Sequence, residues 1–308
     1  MEHIPVLLDE CLEALNIKSN GVYIDATLGR GGHSSKIAKK LSGGRLIAID
    51  RDEEAISQAK NILKDFEKNI IFVKENFENI PKIMDSLNVE KADGILFDFG
   101  VSSPQLDDTN RGFSYMRDTA LDMRMDRQSS FTAYELVNTW TFEEIVKVLR
   151  EYGEEKFAKN ITSKIVENRE KKAINSTFEL NEIISSAIPS FAKRDGGHPS
   201  KRTFQAIRIA VNDELGAIER CLAKLPERLN TGARICAISF HSLEDRIVKK
   251  FFKACTDGCV CPKKLPICAC GFSPTMKMIT KRPILPQKDE VSVNPRAKSA
   301  KLRVAERI

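Results

Sequence analysis

The chain has 308 residues, of which 42% are hydrophobic and 30% charged, so it is long enough to bury a substantial core. No apolar run approaches the roughly 18 residues that a transmembrane helix needs, and early acids such as Glu2 and Asp9 are not typical of a secretory signal. These features exclude a small binding module, and we expect a cytoplasmic protein without a membrane span.

The net charge of +6 arises from 49 basic and 43 acidic residues and is unevenly placed. Residues 271–308 carry nine basic and three acidic side chains, which equals the whole surplus, and residues 191–210 carry five basic and one acidic. The remainder of the chain is slightly acidic. Two basic segments on an acidic body suit a polyanion such as nucleic acid, although solvated surface charge gives the same pattern.

The first hundred residues alternate short apolar runs with helical spacing, which predicts βαβ units around a mainly parallel sheet. Strands are predicted at 22–26, 45–49, 70–73 and 94–99, and helices at 34–41, 53–63 and 80–87. The polar segment from 101 to about 127 has no clean periodicity and is long enough to predict a functional loop.

Only helices are predicted in the following hundred residues. They span 142–152, 154–169, 179–187 and 201–225; Thr141 and Glu144 form a capping box, and Thr177 caps the third helix. A parallel strand at 235–240 and a helix at 243–254 resume the α/β pattern, and Ile279 and 301–305 are further strand candidates. The pattern predicts a helical block inserted into an α/β domain.

A glycine-rich turn joins the first strand to the next helix and contains Asp25, Gly29, Gly31, Gly32 and His33. Glycines let a ligand approach the backbone closely, and the helix N-terminus offers N–H donors. Asp50 follows Gly29 by 21 residues, at the end of the second strand, where a carboxylate can accept the hydroxyl protons of a ribose. This order of elements predicts a nucleoside-cofactor site.

The spacing G-x-G-G lacks the third glycine of a dinucleotide fingerprint. Asp25 would repel a pyrophosphate but attract the ammonium group of a methionine moiety, which favours S-adenosylmethionine over NAD. The alternative is a tight turn in which Asp25 only accepts local hydrogen bonds. His33 could contact the cofactor or be structural, and Phe77, after the third strand, could contact an adenine or belong to the core.

A second polar motif begins at the carboxyl end of the fourth strand, where ligands bind in open parallel sheets. Its polar members are Asp98, Ser102, Ser103 and Gln105. They offer hydrogen-bonding groups at the place where a cofactor and its substrate meet.

Eight ordered motifs can be read along the chain. They are VLLDE (6–10), GRGGHS (29–34), DFGVSSPQLD (98–107), RGFSYMR (111–117), LDMRMD (121–126), RTFQAIR (202–208), SFHSLEDR (239–246) and NPRAKSAKLR (294–303). Together they strongly resemble the bacterial 16S rRNA cytosine-N4 methyltransferase family. The one departure is Phe99, where the family pattern has Leu, an exchange of one apolar residue for another.

This resemblance implies a Rossmann-like class I methyltransferase sheet with an inserted all-helical substrate-recognition domain. The implied limits are 1–108 and 213–308 for the two parts of the methyltransferase domain and 109–212 for the insertion. S-adenosylmethionine would be the donor, and a decoding-centre cytidine of 16S rRNA, within the small ribosomal subunit, the acceptor. The cofactor contacts carried over are Gly31, Gly32, His33, Asp50, Phe77, Asp98 and Gln105.

The exocyclic amine of cytosine is a poor nucleophile, because its lone pair is delocalised into the ring. An enzyme must hold it in line with the methyl group and accept its hydrogen bonds. Asp98, Ser102 and Ser103 are the predicted acceptors. Attack through a cysteine on the ring is disfavoured, because no cysteine lies between Cys11 and Cys221.

Substrate binding is predicted for basic and aromatic residues of the long loop and of the basic segments. Aromatic rings can stack on an unpaired base, and arginines and lysines can contact phosphates. The predicted set is Arg111, Phe113, Tyr115, Arg117, Arg202, His241, Lys298 and Arg303. His241 could instead cap the strand end with a hydrogen bond.

Five of the eight cysteines crowd one short segment. Cys259, Cys261, Cys268 and Cys270 could supply four thiolates to zinc, but C-x-C pairs are tighter than the usual spacing of zinc ligands. The family resemblance requires no metal, so zinc and plain reduced thiols both remain open, and the site prediction contains no metal.

Two other functions remain open at this stage. One is an NAD-linked oxidoreductase that uses the same turn. The other is a non-catalytic rRNA-binding assembly factor with a vestigial cofactor fold. The oligomeric state is left open.

Overall fold

The structure is a computed structural model, and it describes residues 5–101, 105, 108, 110–193, 198–259, 261 and 269–308, with the side chains of 191 and 193 left aside. The chain forms two compact units. The first comprises Met1–Gly100 and Leu215–Ile308, and the second comprises Val101–Glu214. Among the described residues, no helix is both long and apolar enough to cross a membrane.

The first unit is built on a seven-stranded sheet in the order β3-β2-β1-β4-β5-β7-β6. The strands are β1 Val22–Asp25, β2 Arg45–Asp50, β3 Ile70–Lys74, β4 Ala92–Asp98, β5 Leu229–Ser239, β6 Met276–Met278 and β7 Lys301–Arg307. β1 to β5 pair in parallel, and β7 is antiparallel to both β5 and β6. The parallel part has the nucleotide-binding order that reverses at β1 and β4, so ligands are expected at that reversal.

Helices cover both faces of this sheet. They are α1 Leu8–Leu15, α2 Gly32–Lys39, α3 Glu53–Ile62, α4 Ile80–Ser86, α10 Glu214–Leu222, α11 Ser242–Thr256 and α12 Lys288–Val293. Successive strand residues alternate between two buried clusters: Ile24 packs with residues of α4, α10 and α11, whereas Tyr23 packs with residues of α1, α2 and α3. Because the central parallel strands are covered on both faces, their inner residues, such as 46–49 of β2, are apolar in succession.

The second unit is helical. Its helices are α5 Ala133–Thr139, α6 Phe142–Glu151, α7 Ala158–Arg169, α8 Thr177–Ala187 and α9 Lys201–Asn212, and they enclose one apolar cluster of their own. Thr132, Thr141 and Ser176 begin three of these helices with capping boxes. The box predicted at Thr141 is confirmed.

The helix predicted at 201–225 is wrong as a single element. The chain leaves the helical conformation at Asp213, whose φ is 46°, and α10 starts at the next residue. The Asn212 side chain accepts from Met125 N–H and donates to the Met123 carbonyl, and Arg208 pairs with Glu214 at 2.8 and 2.9 Å. These contacts fix the break, which apolar spacing cannot reveal.

Smaller differences concern helix starts and short elements. Ser176, not Thr177, caps α8. α7 begins at Ala158 rather than at Glu154, because Glu154 has a φ of 48° and reverses the chain after α6. Ile279 lies just outside β6, which ends at Met278. The helices α1, α5 and α12 have no counterpart among the predicted helices.

Candidate active site

Three acidic side chains end neighbouring strands of the first unit. Asp25 ends β1, Asp50 ends β2 and Asp98 ends β4. The three strands are parallel, so these carboxylates lie at one edge of the sheet, the edge where open α/β sheets bind ligands. The site therefore begins with three carboxyl groups at one edge of the sheet.

The turn after β1 is held against the end of β2. Leu28 N–H donates to the Ile49 carbonyl at 2.8 Å, and Gly29 N–H donates to Asp50 Oδ2 at 2.8 Å. Gly29 has a φ of 52°, and a Cβ there would meet only the Thr27 carbonyl oxygen, at 4.0 Å. The Cα side of Gly29 is thus open to close approach by a ligand.

Gly31 and Gly32 are constrained by packing. A Cβ on Gly31, whose φ is 78°, would lie 2.8 Å from Leu63 Cδ1, and a Cβ on Gly32 would meet Pro5 Cγ. Both glycines were predicted as cofactor contacts. Their lack of side chains is explained by these neighbours alone, so any cofactor contact would be made by their backbone at the start of α2.

Asp25 is nearly inaccessible, with 1% of its surface exposed. Its Oδ2 accepts from Ser34 Oγ at 2.6 Å and its Oδ1 from Thr27 N–H at 3.2 Å. Burial raises the pKa of Asp25 to about 6, although these two hydrogen bonds lower it. The geometry agrees with the alternative reading of a carboxylate that ties α2 to β1, and its direct contact with an ammonium group stays a prediction.

Asp98 differs from Asp25 because part of its carboxylate is unpaired. Its backbone N–H donates to Thr27 Oγ1 at 2.7 Å, which ties the end of β4 to the turn. Its side chain is 24% exposed, and Oδ1 is buried with no hydrogen-bond partner among the described residues. Burial, together with the negative charges of Asp25 and Glu244, raises the pKa of Asp98 to about 8. Such an oxygen suits a cation or an N–H donor.

His33 lies beside Asp98 rather than in an open position. Its Nε2 is 3.0 Å from the Val6 carbonyl oxygen, and because a carbonyl only accepts, Nε2 carries the proton. In the neutral ring Nδ1 then has a lone pair, and this atom is 3.7 Å from Asp98 Oδ2. The buried ring is therefore a neighbour of Asp98, which agrees with a structural role and leaves cofactor contact as a prediction.

Glu244 is a member of the site that the sequence analysis did not single out. It is completely buried in the first turn of α11, where Oε2 accepts from Phe240 and His241 N–H at 2.7 and 3.2 Å. Its Oε1 lies 3.0 Å from His241 Nε2, and His241 is the N-cap residue of α11, a role different from the strand-end hydrogen bond that was its alternative. The spacing His-x-x-Glu resembles a capping box and was the available signal.

Asp50 and Phe77 complete the edge. Each oxygen of Asp50 accepts one N–H, from Gly29 and from Asp52, which leaves further lone pairs for hydroxyl donors. Burial raises the pKa of Asp50, while these hydrogen bonds lower it. Phe77 is half-buried after β3, with its ring 5.8 Å from Phe97 and 5.9 Å from Phe99. Phe77 thus packs against the edge of the core with one part of its ring and leaves another part accessible to a ligand.

A family model described as the MraW methylase family matches residues 1–308. The chain belongs to the MraW methylase family. Two of its relatives bear the name "Ribosomal RNA small subunit methyltransferase H". The one from Clostridioides difficile (strain 630) is 53% identical over 307 residues, 99% of each chain. The one from Caldicellulosiruptor bescii is 54% identical over 308 residues, 100% of this chain and 99% of the relative.

Similarity to solved structures is much weaker. The crystal structure of an rRNA methylase from Streptococcus thermophilus is 12% identical, covers 97% of this chain and 93% of its own, and has a TM-score of 0.42. The resemblance read from the eight motifs is confirmed by the family match, which also removes the NAD-linked alternative.

As an MraW methylase, the chain is an S-adenosylmethionine-dependent methyltransferase built on a class I sheet. The edge fits this donor. Its sulfonium and ammonium charges match an edge with three acids, and Asp98 Oδ1 is a buried acceptor in need of a partner. Asp50 has lone pairs for a ribose, and the open side of Gly29 admits close approach. A pyrophosphate would be repelled by the same acids.

Two predicted catalytic residues of this MraW methylase, Ser102 and Ser103, lie outside the described residues. Gln105 is described, belongs to the second unit and is 7% exposed. Their predicted roles stay predictions.

The predicted RNA-binding residues of the second unit divide into two groups. Arg111 is 3% exposed, and its Nη2 donates to the carbonyls of Arg124 and Met125 at 3.1 and 3.0 Å. Phe113 is 6% exposed in the helical core. Both are used to fold the unit, so the prediction that they contact RNA is not supported by their positions.

The other three residues of that unit remain accessible to different degrees. Tyr115 stacks on His198 with ring centroids 4.2 Å apart. Arg117 is exposed, and Arg202 is exposed with one hydrogen bond to the Glu154 carbonyl. These residues, unlike Arg111, keep side-chain surface accessible to a partner.

The two predicted RNA-binding residues of the C-terminal basic segment also differ, because one is buried and the other is exposed. Arg303 is 7% exposed and binds Asp245 through two hydrogen bonds of 2.6 and 3.2 Å. Its charge is thus already paired within the protein, contrary to the prediction of an RNA contact. Lys298 is exposed and keeps its charge in solvent.

Proposed function

We propose that this MraW methylase transfers a methyl group from S-adenosylmethionine to the exocyclic N4 amine of a cytidine in the decoding centre of 16S rRNA, in the cytoplasm. The observation that carries the chemistry is the buried, unpaired Oδ1 of Asp98 at the carboxyl edge of the sheet. The ribosomal target is supported by the names of the full-length relatives and by the eight motifs.

The donor supplies an electrophilic methyl group when bound. The protein must orient the amine and take the proton that the nitrogen loses after it gains the methyl group. Asp98 Oδ1 is the acceptor available for an amine N–H, and Asp98 Oδ2 faces His33 Nδ1 at 3.7 Å. We assign to the Asp98 carboxylate both the orientation of the amine and the acceptance of the proton that the amine loses, and the buried His33 ring confines this carboxylate by packing beside it.

The charges near Asp98 set its pKa, and the pKa decides when Asp98 can accept a hydrogen bond from the amine. In the free protein the pKa of Asp98 is about 8, because burial and the charges of Asp25 and Glu244 oppose ionisation. A cationic donor beside it would favour the carboxylate. Asp98 is then ionised, and can accept an N–H bond, chiefly when the donor is present.

Recognition of RNA is assigned to exposed basic residues of both units. Arg117 and Arg202 belong to the helical unit, which we propose as the substrate-recognition domain, and Lys298 belongs to the C-terminal segment. Phosphate contacts of this kind give affinity and a dependence on salt. The RNA within the small ribosomal subunit is the proposed substrate.

Methyl transfer from labelled donor tests the proposal. The purified protein is given free 16S rRNA or 30S particles, and the labelled product is digested to nucleosides. We expect label on N4 of one cytidine. Label on a ring carbon or on a ribose would refute the amine mechanism, and RNA binding without any label would favour the non-catalytic assembly factor.

The role of Asp98 is tested by Asp98→Ala and Asp98→Asn. The matched control is Asp93→Asn on the same strand, because Asp93 binds Val22 N–H and Asn230 at the opposite edge. We expect loss of turnover by about 10²-fold or more for both Asp98 variants, and near wild-type turnover for the control. Wild-type turnover and donor affinity in Asp98→Ala would overturn the assignment.

A further inference from the structure

The described residues between α11 and β6 are held at their base and include no buried side chain. Thr275 N–H donates to the Cys255 carbonyl at 2.9 Å, and a Cβ on Gly258 would lie 2.6 Å from the Phe272 ring. Between 257 and 275, no described residue is buried, and none lies in a helix or strand. Hydrophobic packing therefore does not account for the order of this segment.

Three thiols meet above this base. The Sγ atoms of Cys259, Cys261 and Cys270 all lie within 4.8 Å of one another, and those of Cys259 and Cys270 are 3.6 Å apart. Ala269 N–H donates to Cys261 Sγ at 3.3 Å. A backbone N–H aimed at sulfur stabilises the thiolate, the form that binds metals.

The spacing of the sulfurs separates two explanations. A disulfide needs sulfurs about 2.05 Å apart. Two thiolates on one tetrahedral zinc, each with a Zn–S bond of about 2.3 Å, lie about 3.8 Å apart. The observed 3.6 Å is close to the second value. Sulfur ligands in such a set select zinc over hard cations such as magnesium.

We propose that Cys259, Cys261 and Cys270 bind a structural zinc ion that fastens the segment between α11 and β6. On binding, each thiol releases its proton to solvent and donates a sulfur lone pair to the ion, and no electron is transferred. The three thiolates fill three positions of the tetrahedral ion. Cys268, the fourth cysteine predicted as a candidate ligand, lies outside the described residues. The ion ties positions 259 and 261 to position 270. It supplies the cross-link that this segment needs in place of a buried core.

The test uses the full-length protein purified without chelator and with a thiol reductant. Zinc per chain is measured by elemental analysis, and the zinc is then replaced by Co²⁺, whose thiolate complexes absorb in the near ultraviolet and visible. The variants are Cys259→Ser, Cys261→Ser and Cys270→Ser. Cys255→Ser is the matched control, because Cys255 lies at the same base of the segment but outside the thiol cluster.

We expect about one zinc per chain in the wild type and in Cys255→Ser. The three cluster variants should lose zinc affinity by at least tenfold. With Co²⁺, the wild type should show a thiolate charge-transfer band that the cluster variants lack. Chelation should lower the melting temperature of the wild type by several degrees and leave Cys259→Ser unchanged. The Co²⁺ spectrum of the wild type keeps the test valid even where a variant fails to fold.

Three results would overturn the proposal. The first is reduced wild-type protein without zinc that also gives no thiolate band with Co²⁺. The second is a Cys259–Cys270 disulfide detected by thiol counting in protein kept under cytoplasmic redox conditions. The third is zinc that stays bound at wild-type stoichiometry when all three cysteines are replaced by serine.

Discussion

Replacement of Asp98 by Asn should stabilise the protein, and increasingly so as the pH rises. The native protein keeps a proton on Asp98 up to a pKa of about 8, whereas the unfolded chain loses it near 3.8. Between these values the native state binds more protons than the unfolded state, so the free energy of unfolding falls as the pH rises. The amide of the Asp98→Asn variant cannot ionise, so the variant escapes this loss.

The size of the effect follows from the same two pKa values. A rise from 3.8 to about 8, at about 1.4 kcal/mol per pH unit, sets an upper limit of about 6 kcal/mol. About a quarter of the Asp98 side chain reaches solvent, which screens the charge, so we expect about half of this limit. The variant should therefore gain about 3 kcal/mol at pH 8 and little at pH 4.

The assay is urea unfolding of the wild type and Asp98→Asn at intervals from pH 4 to pH 9. Asp245→Asn is the control, because it is expected to change the free energy of unfolding in the opposite direction. Burial alone would raise the pKa of Asp245, but the hydrogen bonds and charge of Arg303, with the charge of Lys301, hold it below its ordinary value. Asp245 thus stabilises the protein above the unfolded pKa of 3.8 and loses this effect as the pH falls, so its variant should be less stable at neutral pH.

A stability difference between Asp98→Asn and the wild type that stays flat from pH 4 to pH 9 would refute the reasoning, because it would mean that Asp98 titrates alike in both states. A difference that shrinks as the pH rises would show that Asp98 is a stabilised carboxylate in the native protein.

Three further predictions follow. The affinity for S-adenosylmethionine should rise by up to about tenfold per pH unit below pH 8, because binding of the cation releases the Asp98 proton. Calorimetry in buffers of different ionisation enthalpy measures this proton release. The Asp98→Asn variant should show no such release. Gly31→Ala should destabilise the fold by about 1–3 kcal/mol, because Gly31 has a positive φ and a Cβ there would meet Leu63. Gly29→Ala should destabilise it less, because Gly29 has a positive φ but no close neighbour, and should in addition weaken donor binding. Denaturation and donor titration of both variants separate the two effects. Lys298→Gln should reduce by about one the slope of log binding constant against log salt concentration for RNA, without changing the melting temperature. Arg303→Gln should instead lower the melting temperature, because it removes the partner of Asp245. Equal slopes for Lys298→Gln and the wild type would contradict the assignment of Lys298 to RNA binding.

Four of the five parallel strands could be predicted closely from the sequence, whereas β5, predicted at 235–240, begins six residues earlier, at Leu229, where Asn230, Thr231 and Gly232 interrupt the apolar pattern. β1 to β3 were placed within one residue at each end and β4 within two, because a strand covered on both faces forms a short apolar run bounded by polar residues. The capping box at Thr141 was equally local, since its hydrogen bonds join residues three apart. β6, with three residues, is too short to carry a periodic pattern.

The division of the predicted helix 201–225 needed the tertiary structure. Asn212 binds the backbone of Met123 and Met125, far away in sequence, and these bonds fix the end of α9. The same holds for Arg111 and Arg303, whose charge suggested RNA contact. Their guanidinium groups are bonded within the fold, and burial is a property of neighbours that composition does not contain.

The sequence by itself determined the family, the methyl donor and the order of the site elements along the chain. Motifs of a few residues encode the turns and the strand ends that carry Asp25, Asp50 and Asp98, because these features depend on nearby residues. Only the tertiary structure decided how those acids differ. Both oxygens of Asp25 accept hydrogen bonds, whereas Asp98 keeps Oδ1 unpaired and is subject to the charges of Asp25 and Glu244. The pKa values of the two acids differ because they depend on the burial and charge that folding brings together. The clustering of three thiols was likewise decided by the folded chain, which brings Cys270 back to Cys259 and Cys261.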